Sequence, residues 1–338
     1  MSLILQQAVS LKSCNAFGVD ARAAWFARIR DPSELQQLRD DPRLRALPWY
    51  ILGAGSNTLF AGDFPGLVVN VGVAGIAEAG ARDGARLLRV GASESWPALV
   101  ESLVRGGRPG LENLALIPGS VGAAVVQNIG AYGLELAERL HSVEVWEAAT
   151  GKVRTLGVEE CGLGYRDSIF KRAAGGIRVI LQVTLRLPIQ WQPLMGYAEL
   201  ARELAALAHP APIDVFHAVC ALRRRKLPDP AQLGNVGSFF KNPIVSRGQH
   251  QELLTRHPSL VSYPMAGGRF KLAAGWLIEA CGLRGVVRGS AGVYERQALV
   301  LVNHGGASGR EILALAREVQ ESVAARFGVH LEPEAVIV

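Results

Sequence analysis

The sequence predicts an α+β protein of about three units, and three observations lead there. The chain has 338 residues, more than one hydrophobic core usually serves, and 49% of them are hydrophobic. Short apolar strand patterns alternate with amphipathic helix patterns through most of its length. The proline-punctuated stretch Leu227-Pro228-Asp229-Pro230 then sets apart a last block of mixed helix and strand.

The elements follow in order. Asp31-Pro32 opens a helix, Asp31 as its cap and Pro32 in the first turn, with Leu35 and Leu38 inward. Residues 48–52 form a short apolar strand that runs into Gly53-Ala54-Gly55-Ser56-Asn57, and residues 66–71 form a second. Residues 87–90 open a second block. Its helix at 96–104 places Trp96, Leu99, Val100 and Leu103 on one face and ends at Gly106-Gly107. Strands return at 143–146 and 179–187, followed by a helix at 214–226 that carries Val215, Val219 and Leu222 on one side. The last block holds a helix at 272–281 stopped by Gly282, a strand at 298–302 and a long amphipathic helix at 310–327. Residues 330–338 suit one final strand.

Composition excludes several classes. No apolar run approaches the roughly 20 residues of a membrane span. The start, MSLILQQAVSLKSCNAFG, lacks the basic region and cleavage site of a secretory leader. Cys14, Cys161, Cys220 and Cys281 are scattered with no CxxC pair, which predicts reduced thiols in a cytoplasm and no metal site. A net charge of +6 points to acidic partners. The densest basic run, Arg223-Arg224-Arg225-Lys226, closes a predicted helix and lacks the aromatic interleaving of a nucleic-acid surface, so a phosphate or carboxylate ligand fits better.

Five segments carry candidate chemistry. GAGSN at 53–57 is a glycine-rich turn after a strand, able to offer N–H groups to a phosphate, but it lacks the third glycine of a Rossmann fingerprint. Residues 110–133, GLENLALIPGSVGAAVVQNIGAYG, are nearly uncharged and rich in small residues, a composition that lets backbone lie flat against a large ligand. Two such loops suggest a bulky dinucleotide held outside a Rossmann fold. In Gly164-Tyr165-Arg166-Asp167-Ser168, Arg166 is either a fixed cation for a carboxylate or enolate oxygen, or a partner of Asp167 or another acid. GNVGSFFKNP at 234–243 sets Ser238 between a glycine and two phenylalanines, which suits a positioned proton donor and a buried turn equally well. Leu331-Glu332-Pro333-Glu334 places two carboxylates around a proline near the last strand.

Taken together, ILGAGSN at 51–57, GLENLALIPGSVG at 110–122, QNIGAYG at 127–133, GYRDSIFK at 164–171, KLPDP at 226–230, GNVGSFFKNP at 234–243, KLAAGWLIE at 271–279, QALVLVN at 297–303 and LEPE at 331–334 resemble the UDP-N-acetylenolpyruvoylglucosamine reductase family. The resemblance runs nearly end to end. It implies an FAD-binding α+β module of two subdomains, of the vanillyl-alcohol-oxidase (PCMH) type, plus a C-terminal α+β substrate domain. The implied boundaries are 1–72 and 73–226 for the two FAD subdomains, 227–328 for the substrate domain, and 329–338 for a strand returning to the FAD module.

The implied reaction belongs to peptidoglycan precursor synthesis. NADPH reduces FAD, hydride passes from flavin N5 to C3 of UDP-N-acetylglucosamine enolpyruvate, and Ser238 protonates C2. The resemblance gives Arg166 and Glu334 the substrate carboxylate, with Glu334 as a protonated acid. It gives FAD to Gly53, Ala54, Gly55, Ser56, Asn57, Pro118, Gly119, Ser120, Gly122, Ala123, Asn128 and Gly130. Lys226, Asn242 and Gln297 match positions that grip diphosphate and sugar, and Tyr263 and Lys271 match the uridine side. Tyr197 matches the tyrosine of a closing loop in one subtype. Asn15-Ala16-Phe17-Gly18 departs from the family's usual threonine at its second place, and Val336 stands where many members carry a basic residue. A cytoplasmic monomer, without nucleic acid or membrane, is the implied setting.

Overall fold

Asp31 caps the helix Pro32–Asp40: its side chain accepts from Ser33 N, and the Glu34 carboxylate reaches back to the Asp31 N–H. The structure, a computed structural model, describes residues 3–172 and 176–338. Met1 and Ser2, the first residues of the segment read above for a leader, lie outside the described residues. The described chain divides into two compact units. The first comprises residues 1–9, 23–55 and 64–225, and the second residues 10–22, 56–63 and 226–338.

In the first unit the capped helix links two strands, Arg22–Ile29 and Trp49–Leu52, each parallel to Phe64–Val71 between them. Leu5–Ser10 completes this four-stranded sheet at its edge. A second, five-stranded antiparallel sheet runs in the order Lys152–Gly157, Leu140–Glu147, Arg178–Pro188, Ala85–Gly91, Ile76–Arg82. Val143, Val183 and Val90 lie opposite one another across its three central strands, all buried. Their β-branched side chains suit the pleated surface, and two helices belong to the same buried core. Trp96 anchors one of these, Trp96–Arg105, capped by Ser95, and its indole N–H donates to Leu114 O at 3.0 Å. The other, Val121–Gln127, was not predicted as a helix, because its glycine and alanines read as a ligand-hugging loop. The helix Pro212–Lys226 closes the unit, with Val215, Phe216, Val219 and Leu222 buried.

In the second unit Gly234–Ser238, Val300–Asn303, Ala291–Val293 and Val287–Arg288 form a sheet in that order. Ile244–Val245, Phe270–Leu272 and Ser262–Pro264 form a small three-stranded one. The long helix Gly309–Phe327 begins in a Ser308/Glu311 capping box and ends at Gly328 in the left-handed region. Its first residue has no room for a side chain, since a Cβ there would overlap the Phe60 carbonyl. The segment around Phe17 is tied in as well. Asn303 Nδ2 donates to Phe17 O at 2.9 Å, and Asn235 N donates to Ala16 O at 3.1 Å.

Two expectations change in the folded chain. The final strand is only Val336–Ile337, because Pro333 lacks an N–H and the residues before it make a single bridge, Phe240 to Pro333. That short strand pairs in parallel with Thr58–Leu59. Gly234–Ser238, for which a buried turn is one of two readings, is a strand whose register with Val300–Asn303 breaks between Asn235 and Ser238.

Candidate active site

The first unit brings its two glycine-rich loops together. Gly53, Ala54 and Gly55 form the turn after Trp49–Leu52, fastened by Asn70 Nδ2, which donates to the carbonyls of Leu52 and Gly53 at 3.1 and 2.9 Å. Gly55 has φ +66°, a conformation glycine adopts without cost. A Cβ on Gly53 would lie 2.8 Å from Ser120 Oγ and 3.3 Å from Ala123 Cβ, so the turn packs directly on the Pro118–Gly119–Ser120 loop and the helix behind it. Gly122 is equally confined, 2.8 Å from Ala92 Cβ in the same sense. A cradle of closely packed glycine-rich backbone fits a large ligand, and a flavin dinucleotide is one.

Asn128 turns the chain out of the helix Val121–Gln127 with φ +40°. Its side chain is committed to the protein. Nδ2 donates to Glu135 Oε2 at 3.1 Å and Gly164 O at 2.9 Å, while Oδ1 accepts from Ala137 N at 3.0 Å. Asn128 thus joins the cofactor-type loop to the turn that carries Arg166. In that turn Gly164 and Asp167 exchange backbone hydrogen bonds at 2.9 and 3.1 Å, and Arg166 sits between them with φ +55°. Its guanidinium donates to Gly130 O at 2.6 Å and reaches Asn128 O at 3.4 Å. The acid beside it is taken elsewhere: Asp167 pairs with Arg172 at 2.6 Å. Lys171 Nζ donates to the carbonyl of Arg166 at 2.7 Å.

Tyr197 precedes the short helix Ala198–Glu203, its ring 5.1 Å from that of Tyr132 in an edge-on contact. Burial pushes the Tyr132 phenol up from its ordinary value, and nearby Arg223 opposes that shift. Arg225, from the same basic run, pairs with Glu203. Lys226 is the last residue of its helix.

In the second unit Ser238 stands just past the register break, where Gly237 has φ +73° and its N–H is held by Asn235 Oδ1 at 2.8 Å. Such a bulge redirects the next side chain. Phe239 and Phe240 behind it are fully buried, their rings 5.1 Å apart, and Phe239 lies 6.3 Å from Phe17. Glu334 N donates to Phe239 O at 2.7 Å, Lys241 N donates to Glu332 O at 2.9 Å, and Lys241 pairs with the Glu332 carboxylate at 2.5 Å. Asn57 Nδ2 donates to Glu334 O at 3.0 Å, which places Ser56 and Asn57 in this cluster. Of the predicted catalytic set, the second unit therefore brings Ser238 and Glu334 onto neighbouring backbone, and the first unit holds Arg166.

Two of the predicted substrate residues, Asn242 and Gln297, meet at one helix start. Asn242 Oδ1 accepts from Ala274 N at 2.9 Å, and a Cβ on Gly275 would lie 2.8 Å from Gln297 Oε1. Lys271 lies opposite Ile244 on one side and Tyr263 on the other, the latter 45% exposed. Adjacent cross-strand partners share a face, so the row offers apolar, cationic and aromatic surface together. Among the described residues no group of three or more His, Cys, Asp or Glu could hold a metal ion, and no helix is long and apolar enough to cross a membrane.

Sequence reasoning passed over Asn15 as a working residue. Its side chain donates to Leu11 O and Val19 O at 2.8 and 2.9 Å and accepts from Val19 N at 3.0 Å, folding the loop that presents Phe17. The threonine expected in the neighbouring place is not needed for that bond set. Val336, at the place of a usual basic residue, contributes a backbone donor to Asn57 O at 2.9 Å.

Comparison with known proteins accords with this arrangement. The family model described as "UDP-N-acetylenolpyruvoylglucosamine reductase, C-terminal domain" matches residues 229–338, and that described as "FAD binding domain" matches residues 23–157. The UDP-N-acetylenolpyruvoylglucosamine reductase of Ralstonia nicotianae is 51% identical over 329 residues, covering 96% of each chain. That of Paraburkholderia phymatum is 52% identical over 330 residues, 96% of this chain and 95% of the other. The crystal structure of UDP-N-acetylenolpyruvylglucosamine reductase (MurB) from Thermus caldophilus superposes with a TM-score of 0.69 at 26% identity, covering 99% of both chains. A solvent-stable cholesterol oxidase shares the fold alone, with a TM-score of 0.50 at 12% identity over 98% of this chain and 87% of its own. An FAD-binding α+β module followed by a C-terminal α+β domain is the fold class expected from the sequence.

Proposed function

The chain belongs to the UDP-N-acetylenolpyruvoylglucosamine reductase family, and from that premise we propose that it reduces UDP-N-acetylglucosamine enolpyruvate to UDP-N-acetylmuramate at the expense of NADPH. The observation that supports the reading is the backbone bond from Glu334 N to Phe239 O, which brings Glu334 to the residue next to Ser238.

In this reading Gly53, Ala54, Gly55, Ser56, Asn57, Pro118, Gly119, Ser120, Gly122, Ala123, Asn128 and Gly130 serve the cofactor, and Asn128 also ties its loop to the turn that carries Arg166. FAD, when bound, supplies the two-electron relay that takes hydride from NADPH and delivers it to C3 of the enolpyruvyl group. The rest falls to side chains. Ser238 holds the proton destined for C2. A serine hydroxyl is a weak acid, so it acts against a strongly basic carbanion, and its rate advantage lies in placement. Gly237 and the buried Phe239–Phe240 pair provide that placement.

Arg166 and Glu334 receive the substrate carboxylate, on which negative charge builds as C3 is reduced. A guanidinium already fixed on two carbonyls reorganises little when that charge appears. Lys226, Asn242 and Gln297 hold diphosphate and sugar, Tyr263 and Lys271 hold uridine, and Tyr197 belongs to the closing loop of its subtype. In this reading residues 1–72 and 73–226 serve FAD, 227–328 serve substrate, and 329–338 return the chain to the cofactor. The enzyme works as a cytoplasmic monomer in peptidoglycan precursor synthesis.

The experiment is anaerobic absorbance on purified protein loaded with FAD. Bleaching of the flavin band by NADPH, then its recovery on adding the enolpyruvyl sugar nucleotide, is the expected sequence. Bleaching without recovery would overturn the substrate, and failure to retain FAD would overturn the cofactor.

A further inference from the structure

We propose that Lys171 is a positioning residue for Arg166: its ammonium, bound to the carbonyl of Arg166 itself, holds that residue in the conformation from which its guanidinium meets the substrate. The inference rests on the assignment of Arg166 above and extends it to a residue that assignment leaves out.

Arg166 adopts φ +55°, a region that L-residues other than glycine rarely enter. Something must hold it there. The two backbone bonds between Gly164 and Asp167 close the turn around it, but both belong to its flanks. Lys171 addresses the backbone of Arg166 itself, with Nζ 2.7 Å from its carbonyl oxygen. A charge-assisted bond of this kind is roughly twice as strong as a neutral one.

The reach of Lys171 is set by the short helix Ile169–Lys171, and that helix is anchored through Ser168. The buried Ser168 hydroxyl donates to Val126 O at 2.7 Å, and Lys171 N donates to Ser168 O at 3.2 Å. The ammonium is thereby referred to the same helix, Val121–Gln127, that ends at Asn128 and leads to Gly130. Those two residues are the ones whose carbonyls take the Arg166 guanidinium. Backbone and head group of Arg166 are thus clamped to one rigid element, the former through Lys171. Rotation of the peptide after Arg166 would break the 2.7 Å bond.

A second cation beside a working cation is costly unless it serves something. A half-buried carbonyl can be satisfied by water, so the acceptor alone does not call for lysine. Holding an anion-binding arginine still, while adding positive charge where a carboxylate and phosphates arrive, does call for one.

The test separates the two half-reactions in the FAD-loaded enzyme. Lys171→Met should slow flavin reoxidation by the enolpyruvyl sugar nucleotide by about 10²-fold, the effect of misplacing a catalytic group by roughly 1 Å. Flavin reduction by NADPH and flavin retention should stay at wild-type values, and substrate half-saturation should change far less than the maximal rate. Lys171→Arg should restore most of the lost rate. Arg172→Met, which removes the exposed ion pair on the same turn, should stay within about twofold of wild type. Arg166→Lys supplies the reference. If it slows reoxidation and Lys171→Met does not, the positioning role is wrong while the Arg166 assignment stands. If both variants are silent, the Arg166 assignment fails and takes this inference with it. If Lys171→Met loses flavin, or slows both half-reactions alike, Lys171 merely supports the loop and the inference is overturned.

Discussion

The backbone of Glu334 is bonded to Phe239, one residue from Ser238, through an N–H···O contact of 2.7 Å across the gap between the end of the chain and the bulged strand. The bond sets the reach of the carboxylate relative to the hydroxyl, so displacement of one displaces the other. Asn57 fastens the other side of the same peptide unit through Glu334 O.

Replacing Ser238 with alanine removes the proposed proton and little else, because Gly237 and the Phe pair keep the bulge. Flavin reduction by NADPH should stay near wild type, while reoxidation by substrate should fall by about 10²–10⁴-fold. Stopped-flow traces of the two half-reactions check this; equal losses in both would remove Ser238 from its role.

Gly53→Ala would drive a methyl against Ser120 Oγ at 2.8 Å, where both partners are short and one belongs to a packed loop. Overpacking of this sort costs about 1–3 kcal/mol. The expected result is FAD affinity weaker by roughly tenfold or more, read by fluorescence titration of apoprotein. Unchanged affinity would mean that the two loops do not share the cofactor.

Hydrogen bonds from the Ser308 backbone N–H, then from its hydroxyl, hold the Glu311 carboxyl below its ordinary value of 4.5. A depressed value in the folded state means that the contribution is complete at neutral pH and fades as pH falls through 4.5 and below. Glu311→Gln should therefore lower the melting temperature at pH 7, and the gap to wild type should narrow steadily as the pH is taken below 4.5. A gap that persists in acid would show that the capping box does not act through the charge.

Burial pushes the Cys161 thiol up to about 11, and burial likewise raises Cys220 and Cys281. At pH 8 only about one Cys161 in 10³ is thiolate. Native protein treated with a thiol-specific aromatic disulfide should label Cys14, which is only half-buried, ahead of Cys161, which should react on unfolding. Early loss of the Cys161 thiol, followed by peptide mapping, would contradict the packing around it.

Helices with a conventional start were legible, because Asp31-Pro32 and the Trp96 face combine a cap or anchor with a regular period. The edge strand Ile76–Arg82 was not, since nearly every residue in it faces solvent and no alternation survives. Val121–Gln127 hid behind its glycine and alanines: small residues that permit close packing against Ala92 look the same, in sequence, as residues that permit a ligand. The site shows a similar division. Ser238, Arg166 and Glu334 were recognisable from motif order, whereas the bulge that aims Ser238 and the carbonyls that hold Arg166 depend on register and on φ, neither of which a residue string displays. Asn15 was overlooked because its three bonds all lie within one loop.

The parallel pairing of Val336–Ile337 with Thr58–Leu59 also governs assembly in time. Asn57 and its partner Glu334 are 277 residues apart. At ribosomal rates of 5–20 residues per second, the earlier segment waits on the order of half a minute for its mate to be made. During that interval the apolar side chains of Leu59, Phe60 and Phe17, all buried in the finished protein, have no C-terminal surface to enter. The nascent chain carries them exposed, and this is the window in which chaperones or aggregation would compete for it.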